Sequence, residues 1–328
     1  MGILQDFPTD PFTPSLRYAA TCRVPIYLPW ASESIKLGTS LAVARGSQTK
    51  SQFMDNGKTA FSHSSLQRSQ LVFTSASSGD VSSAQTFGAA SASEHVNFTI
   101  SGQIGGSFAG AKARANYEKS ATNSNSNVTR SLRTTYRSGL VTFLNEPELS
   151  EEAQALLQTS TEAFRERFGE YYVAAYVLGG SNASTLGGAA AMGAFSKDLS
   201  GTYTAQIGWG LIKKSGSFQD HERSSSSMAV AALAGYDTLS KWSTDSNARD
   251  AASYQQLVNA GAENMDRGWG LPGRVAAKTG EIGLGLEPRS RVYWDKCETL
   301  CHDGLVVELL LLPYAHLRQY VSACLVKK

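Results

Sequence analysis

The chain has 328 residues, 41% of them hydrophobic and 18% charged, which is the composition of a globular protein with a sizeable core. Its formal net charge is only +2, and its lysines and arginines are scattered rather than clustered, so nucleic acid is not an expected partner. The length is compatible with one large domain or with two ordinary ones.

Hydropathy gives no transmembrane helix, because no stretch reaches the roughly 18 consecutive apolar residues that such a helix needs. The longest apolar run, Leu305 to Leu312, is short and contains Glu308. The N-terminal residues lack the basic start, apolar core and cleavage site of a secretory signal. We therefore expect a soluble protein, cytoplasmic or released. A mature form that has already lost its signal stays an alternative.

The four cysteines are Cys22, Cys297, Cys301 and Cys324. Cys297 and Cys301 lie four residues apart, just before His302, and resemble one half of a zinc site. A structural zinc site needs a second pair of ligands, which the sequence does not contain, so no metal is expected. The pattern leaves two interpretations open: free buried thiols, or one disulfide between Cys297 and Cys301.

Residues 1–57 mix proline, glycine and polar residues with short apolar runs, and prolines this dense argue against a long helix or a central strand. We expect an N-terminal strand and loops that pack on a main domain formed by residues 58–328. A first strand of that domain is predicted over residues 58–75, centred on Leu71 to Phe73.

Residues 76–127 are rich in Ser, Ala, Gly, Thr and Asn, and they contain a stretch in which apolar and polar residues alternate. Its apolar positions are Val96, Phe98, Ile100, Ile104 and Phe108. Such alternation predicts a strand with one apolar face, and a strand of about 9 to 11 residues can cross a bilayer in a β-barrel. A surface strand of a soluble sheet is the alternative.

A second strand is predicted over residues 128–144, followed by a helix over residues 150–167. Ser150 can cap the helix, the two glutamates that follow favour its N-terminal dipole, and Gly169 can end it. The helix leads into a run of aromatic and β-branched residues that closes with Gly179 and Gly180. Paired glycines let a backbone bend or approach a neighbour closely, so this strand can contain a hinge.

Beyond the glycine pair the same organisation is repeated. Residues 182–224 again have a small-residue composition and contain an alternating stretch, and a further strand is predicted over residues 225–238. The apolar face of the second stretch includes Tyr203, Ile207, Trp209 and Leu211.

The stretch from Phe168 to Gly180 resembles the signature of the membrane attack complex/perforin (MACPF) family. In that signature an aromatic residue is followed by Gly, Thr, His and a second aromatic residue. Six further residues then separate this second aromatic residue from a Gly-Gly pair. The matching residues are Phe168, Gly169, Tyr172, Gly179 and Gly180. The departures are Glu170, which replaces Thr, and Tyr171, which replaces His. The chain is therefore similar to a divergent member of the family.

The resemblance implies an α+β fold like that of MACPF proteins and cholesterol-dependent cytolysins. A bent and twisted four-stranded antiparallel sheet, here residues 58–75, 128–144, 170–181 and 225–238, would be flanked by two helical clusters. Those clusters, residues 76–127 and 182–224, would unfurl into transmembrane β-hairpins. Since the sequence leaves no room for a C-terminal targeting module, a separate lipid-binding partner protein is a further expectation.

The leading hypothesis is a pore-forming protein that binds membrane lipid and forms a homo-oligomeric ring or arc when active. The resemblance implies no cofactor, and the sequence has no nucleophile elbow, P-loop or HExxH helix, so an enzyme is not expected. The hinge would be Gly179 and Gly180, with the rest of the signature beneath it. The apolar faces of the two inserts would enter the membrane. The alternatives are a non-lytic MACPF-fold protein for binding, adhesion or structure, and a soluble β-rich binding protein outside the family.

Overall fold

The computed structural model describes most of the chain outside the predicted inserts. The described residues are 12–30, 34–43, 52–54, 58–86, 128–188, 231–240, 242–248, 260, 263–264, 266–284 and 289–325. They form an α+β fold in which helices cover a large antiparallel sheet.

The sheet contains ten strands among the described residues. They are β1 (Ile26–Pro29), β2 (Ser40–Ala42), β3 (Gln52–Phe53), β4 (Leu71–Thr86), β5 (Val128–Phe143), β6 (Tyr171–Gly188), β7 (Ala231–Asp237), β8 (Trp242–Ala248), β9 (Ser290–Val292) and β10 (Val306–Pro313). The main order is β1-β10-β6-β5-β4-β9, with β7 and β8 continuing from β6, and β2 pairing with both β3 and β6.

Seven α-helices accompany the sheet in the described part of the chain. They are α1 (Phe12–Cys22), α2 (His63–Arg68), α3 (Glu151–Thr159), α4 (Thr161–Phe168), α5 (Leu271–Glu281), α6 (Trp294–His302) and α7 (Arg318–Leu325). None of the helices in these residues has both the length and the apolar character needed to span a membrane.

Three central strands are unusually long, with 16 residues in β4, 16 in β5 and 18 in β6. Their far ends lie on one row, because Thr86 pairs with Thr129, Thr129 with Gly187, and Gly187 with Ala232 of β7. The segments that join β4 to β5 and β6 to β7 therefore leave the sheet at the same ends of these strands. We call this end of the sheet the upper edge.

The pairing register shifts at one level across this sheet. The shift falls between Ser75 and Ser78 in β4 and between Arg137 and Gly139 in β5. We call the part of the sheet on the upper-edge side of these shifts the upper half, and the remainder the lower half. Extra residues in a ladder bend a strand and increase its twist, so this level is where the sheet departs from regular geometry.

The lower half is covered on both faces. One core cluster packs α5 and α6 against one face of the sheet, and a second packs α3, α4 and α7 against the other face. All residues of β6 from Tyr171 to Leu178 are buried as a result. This explains why the sequence there is continuously apolar and aromatic rather than alternating.

The structure corrects the predicted first strand. Residues 63–68 form α2, whose N-terminus is capped by Ser62: its Oγ accepts a hydrogen bond from Ser65 N at 3.1 Å. The strand begins only at Leu71, and it continues to Thr86 instead of ending at residue 75. Likewise β6 continues to Gly188 rather than ending at residue 181. The two strands therefore extend into the predicted inserts, through residues 76–86 and 182–188.

Other predictions have mixed outcomes. In the N-terminal segment, β1 pairs with β10, and residues 12–22 form α1, which was not predicted. Its Pro14 lies in the first turn, where the missing N–H has no helical partner to lose. The run from Leu305 to Leu312 forms most of β10, next to β6. The predicted four-stranded sheet is thus part of a larger one.

The predicted helix before β6 is two helices. Ser150 caps α3 as expected, accepting from Ala153 N at 3.2 Å, and Gly169 ends α4 with a φ of 77°. The helix is interrupted at Ser160, which has extended backbone and whose Oγ accepts from Ala163 N at 3.3 Å. A serine inside a helical pattern can offer this competing cap.

Candidate functional site: the glycine pair and the helix that covers it

Strand β6 changes its outer neighbour at Gly179 and Gly180. Up to Leu178 it pairs with β10, and from Asn182 onwards it pairs with β7. Between the two ladders, Gly179 N donates to Leu305 O at 2.8 Å, and Thr238 N donates to Ser181 O at 2.9 Å. The glycine pair therefore lies where the lower half of the sheet passes into the upper half.

The two glycines make room for different neighbours. A Cβ added to Gly179 would lie 1.8 Å from the carbonyl oxygen of Tyr136, so only glycine allows β5 and β6 to approach this closely. A Cβ on Gly180 would lie 2.7 Å from Leu271 Cδ2 and 3.2 Å from Val275 Cγ2. Since both of these side chains belong to α5, this helix rests directly on Gly180.

A third glycine lies at the same level in β5. Gly139 has a φ of 156°, and an added Cβ would lie 2.3 Å from Thr74 O. Glycines thus let the backbones of β6, β5 and β4 approach one another closely along the line of the register shifts.

A buried polar cluster holds α5 to the upper half. Both Asp237 carboxylate oxygens accept hydrogen bonds from the Arg274 guanidinium, at 2.6 and 2.9 Å. Asn182 Nδ2 donates to Asp237 Oδ2 at 3.2 Å and to Asn264 Oδ1 at 2.7 Å. The backbone amides of Leu239 and Ser240 donate to Asp237 Oδ1. Helix α5, the end of β7 and the upper part of β6 are thereby joined through one carboxylate.

The environment of Asp237 has opposing effects on its pKa. Burial of the carboxyl raises the pKa, and the Arg274 guanidinium together with the hydrogen bonds from Asn182 and Ser240 lowers it. The net result is a pKa below the usual value. Asp237 is fully buried whereas the Arg274 side chain is 28% exposed, so the ion pair is accessible to water from the arginine side only.

A second ion pair spans the sheet on the face away from α5. Arg137 Nε donates to Glu308 Oε2 at 2.7 Å, and a second nitrogen of the guanidinium contacts the other carboxylate oxygen. Arg137 pairs with Gly179 across the β5–β6 ladder. The contact therefore joins β5 to β10 across β6, at the level of the glycine pair. It also explains why Glu308, a charged residue, occurs within the apolar run of β10.

The remaining signature residues lie at the other end of the lower half. Phe168 and Tyr172 are buried in the second core cluster, where the Tyr172 ring lies 4.9 Å from that of Phe61. Gly169 has a φ of 77°, and a Cβ there would lie 2.3 Å from Leu41 O. The structure thus separates the signature into two places, and it does not bring Phe168 and Tyr172 next to the glycine pair.

The two residues that depart from the signature both bind the N-terminal part of the chain. Glu170 Oε2 accepts a hydrogen bond from Val43 N at 2.9 Å, and the Tyr171 hydroxyl donates to Val24 O at 3.0 Å. Burial raises the pKa of Tyr171 to about 12, with a further contribution from Glu170. Tyr171 is therefore a neutral hydrogen-bond donor that helps to fix the N-terminal segment.

Cys297 and Cys301 lie on successive turns of α6, where both are buried as free thiols. Burial raises the pKa of Cys297 to about 12 and that of Cys301 to about 11, which keeps both thiols protonated and unreactive. No cluster of potential metal ligands occurs among the described residues.

The predicted membrane-inserting residues lie outside the described residues. They are Val96, Phe98, Ile100, Ile104, Phe108, Tyr203, Ile207, Trp209 and Leu211. Sequence reasoning also missed the cluster around Asp237. The side chains that hydrogen-bond to one another around it are 37 to 82 positions apart and carry no spacing pattern, so no local signal identifies them.

Comparison with solved structures finds similarity to proteins of the family that the stretch from Phe168 to Gly180 resembles. One match, with a TM-score of 0.30 and 15% identity, is a protein from Bacteroides thetaiotaomicron VPI-5482 described as a cell invasion protein with a MAC/perforin domain. Another, with a TM-score of 0.32 and 12% identity, is GNIP1Aa from Chromobacterium piscinae, a protein of MACPF fold. They cover 72% and 65% of this chain.

The chain spans only 57% and 44% of those two proteins. No protein-family model and no curated protein matches the sequence. At these scores the matches assign no role to any residue of this chain.

Proposed function

We propose that the chain is a pore-forming protein of the MACPF type. In this proposal it binds membrane lipid, assembles with copies of itself into a ring or arc, and inserts the two segments that leave its upper edge. The observation that carries the proposal is that β4 and β6 end, and β5 and β7 begin, at one level of the sheet. Residues 87–127 and 189–230, which connect these strands, can extend as hairpins by continuing ladders that already exist.

The sequence of the connecting segments supports insertion. Each contains one of the alternating stretches, with apolar residues on one face and small polar residues on the other. Backbone groups in a bilayer need hydrogen-bond partners, so such strands are viable there only inside a closed barrel. Contiguous antiparallel pairs at the upper edge would supply those partners from both connecting segments of each protomer.

Assembly needs free strand edges, and the two sides of the upper half differ in this respect. On one side, β9 pairs with β4 only from Leu71 to Phe73, so among the described strands none covers β4 above Phe73. On the other side, β8 pairs along all of β7. An unpaired edge is a template for another strand. In the proposal, a strand of a neighbouring protomer pairs with the unpaired side of β4. On the opposite side of the sheet, β8 separates from β7.

The glycine pair and α5 would control the release of the segments. Helix α5 rests on Gly180 and is held by Asp237, and in the proposal it keeps the upper half from changing its bend while it stays in place. In the proposal, displacement of α5 breaks the cluster and lets the sheet open at Gly179 and Gly180. A separate lipid-binding protein that recruits the chain to a membrane remains part of the proposal.

The experiment is dye release from liposomes of mixed lipids by a variant whose α5 region can be locked to the sheet. A Cβ at Gly268, just before α5, would lie 3.4 Å from Thr134 Cβ on β5, close to the separation found in disulfides. Thr134→Cys with Gly268→Cys, in a background with the exposed Cys22 changed to Ser, can therefore be bridged. We expect no release in the oxidised state and normal release after reduction.

A matched control places the bridge in the lower half. Val72 and Thr142 are directly paired on β4 and β5, and a disulfide between cysteines at these positions should leave release unchanged. Release by the fully oxidised Thr134→Cys/Gly268→Cys variant would contradict the role of α5. If the unmodified chain releases no dye from any lipid mixture, it does not form pores by itself. The non-lytic role, or a requirement for the lipid-binding partner, would then replace the proposal.

A further inference from the structure

A cleft of about 600 Å³ lies at the start of β6, at the opposite end of that strand from the upper edge. Residues of α1, α4 and α7 contribute to its walls, together with residues that follow β10. Four buried aromatic residues line it: Phe164, Tyr171, Tyr314 and Tyr320. Four of the fourteen lining residues are aromatic and four are charged, so the cleft combines apolar ring surface with polar groups, as small-molecule sites do.

Three arginines line this cleft. Arg17 belongs to α1, Arg23 directly follows that helix, and Arg165 belongs to α4. Glu170 is the one acidic residue of the lining, and its Oε2 accepts a hydrogen bond from Val43 N. Arg165 also approaches Glu162 at 3.4 Å, but that glutamate side chain is 55% exposed, so the pair is screened by water.

The arginines act on one point of the cleft. Burial raises the pKa of Tyr320, and both Arg165 and Arg23 partly offset that effect. The guanidinium groups of Arg165 in α4 and of Arg23, which follows α1, thus act electrostatically on one hydroxyl of the cleft that all three residues line. Guanidinium groups and a hydroxyl that line one cleft offer a bound anion several hydrogen-bond donors.

The backbone at Arg23 is unusual for a residue with a long side chain. Its φ is 54°, in the left-handed region, directly after the end of α1. Helices commonly end with such a residue, and it is usually glycine because any Cβ is unfavourable there. An arginine in a glycine position is locally strained, and such outliers cluster at binding sites.

We infer that this cleft binds a small ligand that carries a phosphate group, with the phosphate between Arg23 and Arg165 and an apolar or aromatic body against the tyrosines. Guanidinium groups bind phosphate oxygens through paired N–H donors, and the aromatic walls suit a ring or a short hydrocarbon. The binding site itself does not depend on pore formation, whereas the choice between two sources of the phosphate rests on the proposed function.

The position of the cleft helps to distinguish two sources of phosphate. Extended β6 would span up to about 55 Å, so the cleft and the upper edge lie far apart. A lipid headgroup of a bilayer entered by the segments at the upper edge would not reach it. A soluble phosphate ester is the occupant that this geometry favours, and a lipid headgroup is the other source to be tested.

The test is isothermal titration calorimetry with phenyl phosphate and with inorganic phosphate. Because the aromatic walls should contribute, we expect phenyl phosphate to bind more tightly than inorganic phosphate. Arg23→Gly should weaken the binding of phenyl phosphate about tenfold through loss of one charge-assisted interaction. The same variant should unfold at an unchanged or higher denaturant concentration, since glycine suits the left-handed backbone.

The matched control is Arg289→Gly. Arg289 also has a positive φ, of 64°, but it does not line the cleft. The Arg289→Gly variant removes the same charge and relieves the same type of backbone strain as Arg23→Gly. Because Arg289 lies outside the cleft lining, this variant should leave binding unchanged. Arg165→Gln should weaken binding by a factor similar to that of Arg23→Gly.

Two results would overturn the inference: no binding of either phosphate compound to the unmodified chain, or equal binding by the Arg23→Gly and Arg289→Gly variants. A second arm measures flotation with vesicles of phosphatidylcholine, alone or mixed with phosphatidic acid. Selective flotation that Arg23→Gly abolishes and Arg289→Gly retains would assign the phosphate to a lipid headgroup. Binding of phenyl phosphate without such flotation would assign it to a soluble ester.

Discussion

Gly179 and Gly180 are adjacent in the chain, yet their missing side chains make room for different parts of the molecule. At Gly179 the neighbour is backbone, the carbonyl of Tyr136, which cannot move without disturbing the β5–β6 ladder. At Gly180 the neighbours are the ends of leucine and valine side chains, which can adopt other rotamers. The physical consequences of substitution should therefore differ at the two positions.

We expect Gly179→Ala to lower the free energy of unfolding by about 3 kcal/mol, and Gly180→Ala by about 1 kcal/mol. Gly79 on β4 is exposed and has no atom within 4 Å of an added Cβ, so Gly79→Ala should change it by less than about 0.5 kcal/mol. Urea denaturation of the three variants measures these differences. Equal losses at Gly179 and Gly180 would show that the close approach of β5 and β6 is not the constraint.

At the scale of elements, α5 is attached to the sheet by apolar contacts and by one ion pair. Leu271 and Val275 lie against Gly180, and Arg274 reaches Asp237 at the end of β7. Apolar contacts are non-directional, whereas a bidentate arginine–carboxylate pair defines one orientation. The ion pair therefore fixes where the helix sits, and its loss should loosen α5 more than it disturbs the lower half.

Asp237→Asn tests this attachment. Removing one partner of a buried pair costs about 3 to 5 kcal/mol, and because Arg274 is partly exposed we expect a smaller loss of about 2 kcal/mol near pH 7. The free energy of unfolding is measured by urea denaturation. On α5 itself, Glu281→Gln is the control, since its contact with Lys278 is exposed and should contribute less than about 0.5 kcal/mol.

The same pair gives a pH dependence with a definite sign. The pKa of Asp237 is lower in the folded state than its ordinary value, so its contribution to stability is present above that value. The contribution is lost as the pH falls through the lower, folded-state pKa. The difference in stability between the unmodified chain and Asp237→Asn should therefore shrink below about pH 4. A constant difference across that range would contradict the assignment.

At the scale of the whole molecule, the two halves of the sheet differ in how they are stabilised. The lower half has a core cluster on each face, and its β6 residues from Tyr171 to Leu178 are all buried. Along β4, Leu71 and Phe73 are buried, whereas the residues from Thr74 to Gly79 are exposed, so this strand loses its cover near the level of the register shifts. A protein that must keep one part fixed while another rearranges needs such a difference, because local opening is confined to regions with few buried contacts.

Native-state hydrogen exchange followed by mass spectrometry tests this difference. We expect the amides of Val173 to Leu178 and of β10 to exchange only through global unfolding, whereas those of Gly79 to Thr86 exchange through a smaller opening. The oxidised bridge between residues 134 and 268 should leave exchange in the lower half unchanged. Uniform protection along β4 from Leu71 to Thr86 would contradict the division into two halves.

The sequence by itself determined the features that depend on neighbouring residues. Ser150 and Gly169 marked helix ends because capping and left-handed backbone are local requirements, and the aromatic run ending in Gly179 and Gly180 marked the central strand. Local rules also failed where two local structures compete. The residues that form α2 fit a strand pattern until the Ser62 cap is known, and Ser160 interrupts a helix whose periodicity continues.

Only the tertiary structure decided how distant residues meet. The change of neighbour at the glycine pair requires β10 and β7 to approach β6 from the same side, and Asp237 meets Arg274 across 37 positions. The cleft at the start of β6 likewise brings together Arg23, which follows α1, and Arg165 of α4, residues far apart in the chain. Such contacts leave no periodic trace in the sequence, because side chains that meet only through folding have no fixed spacing along the chain.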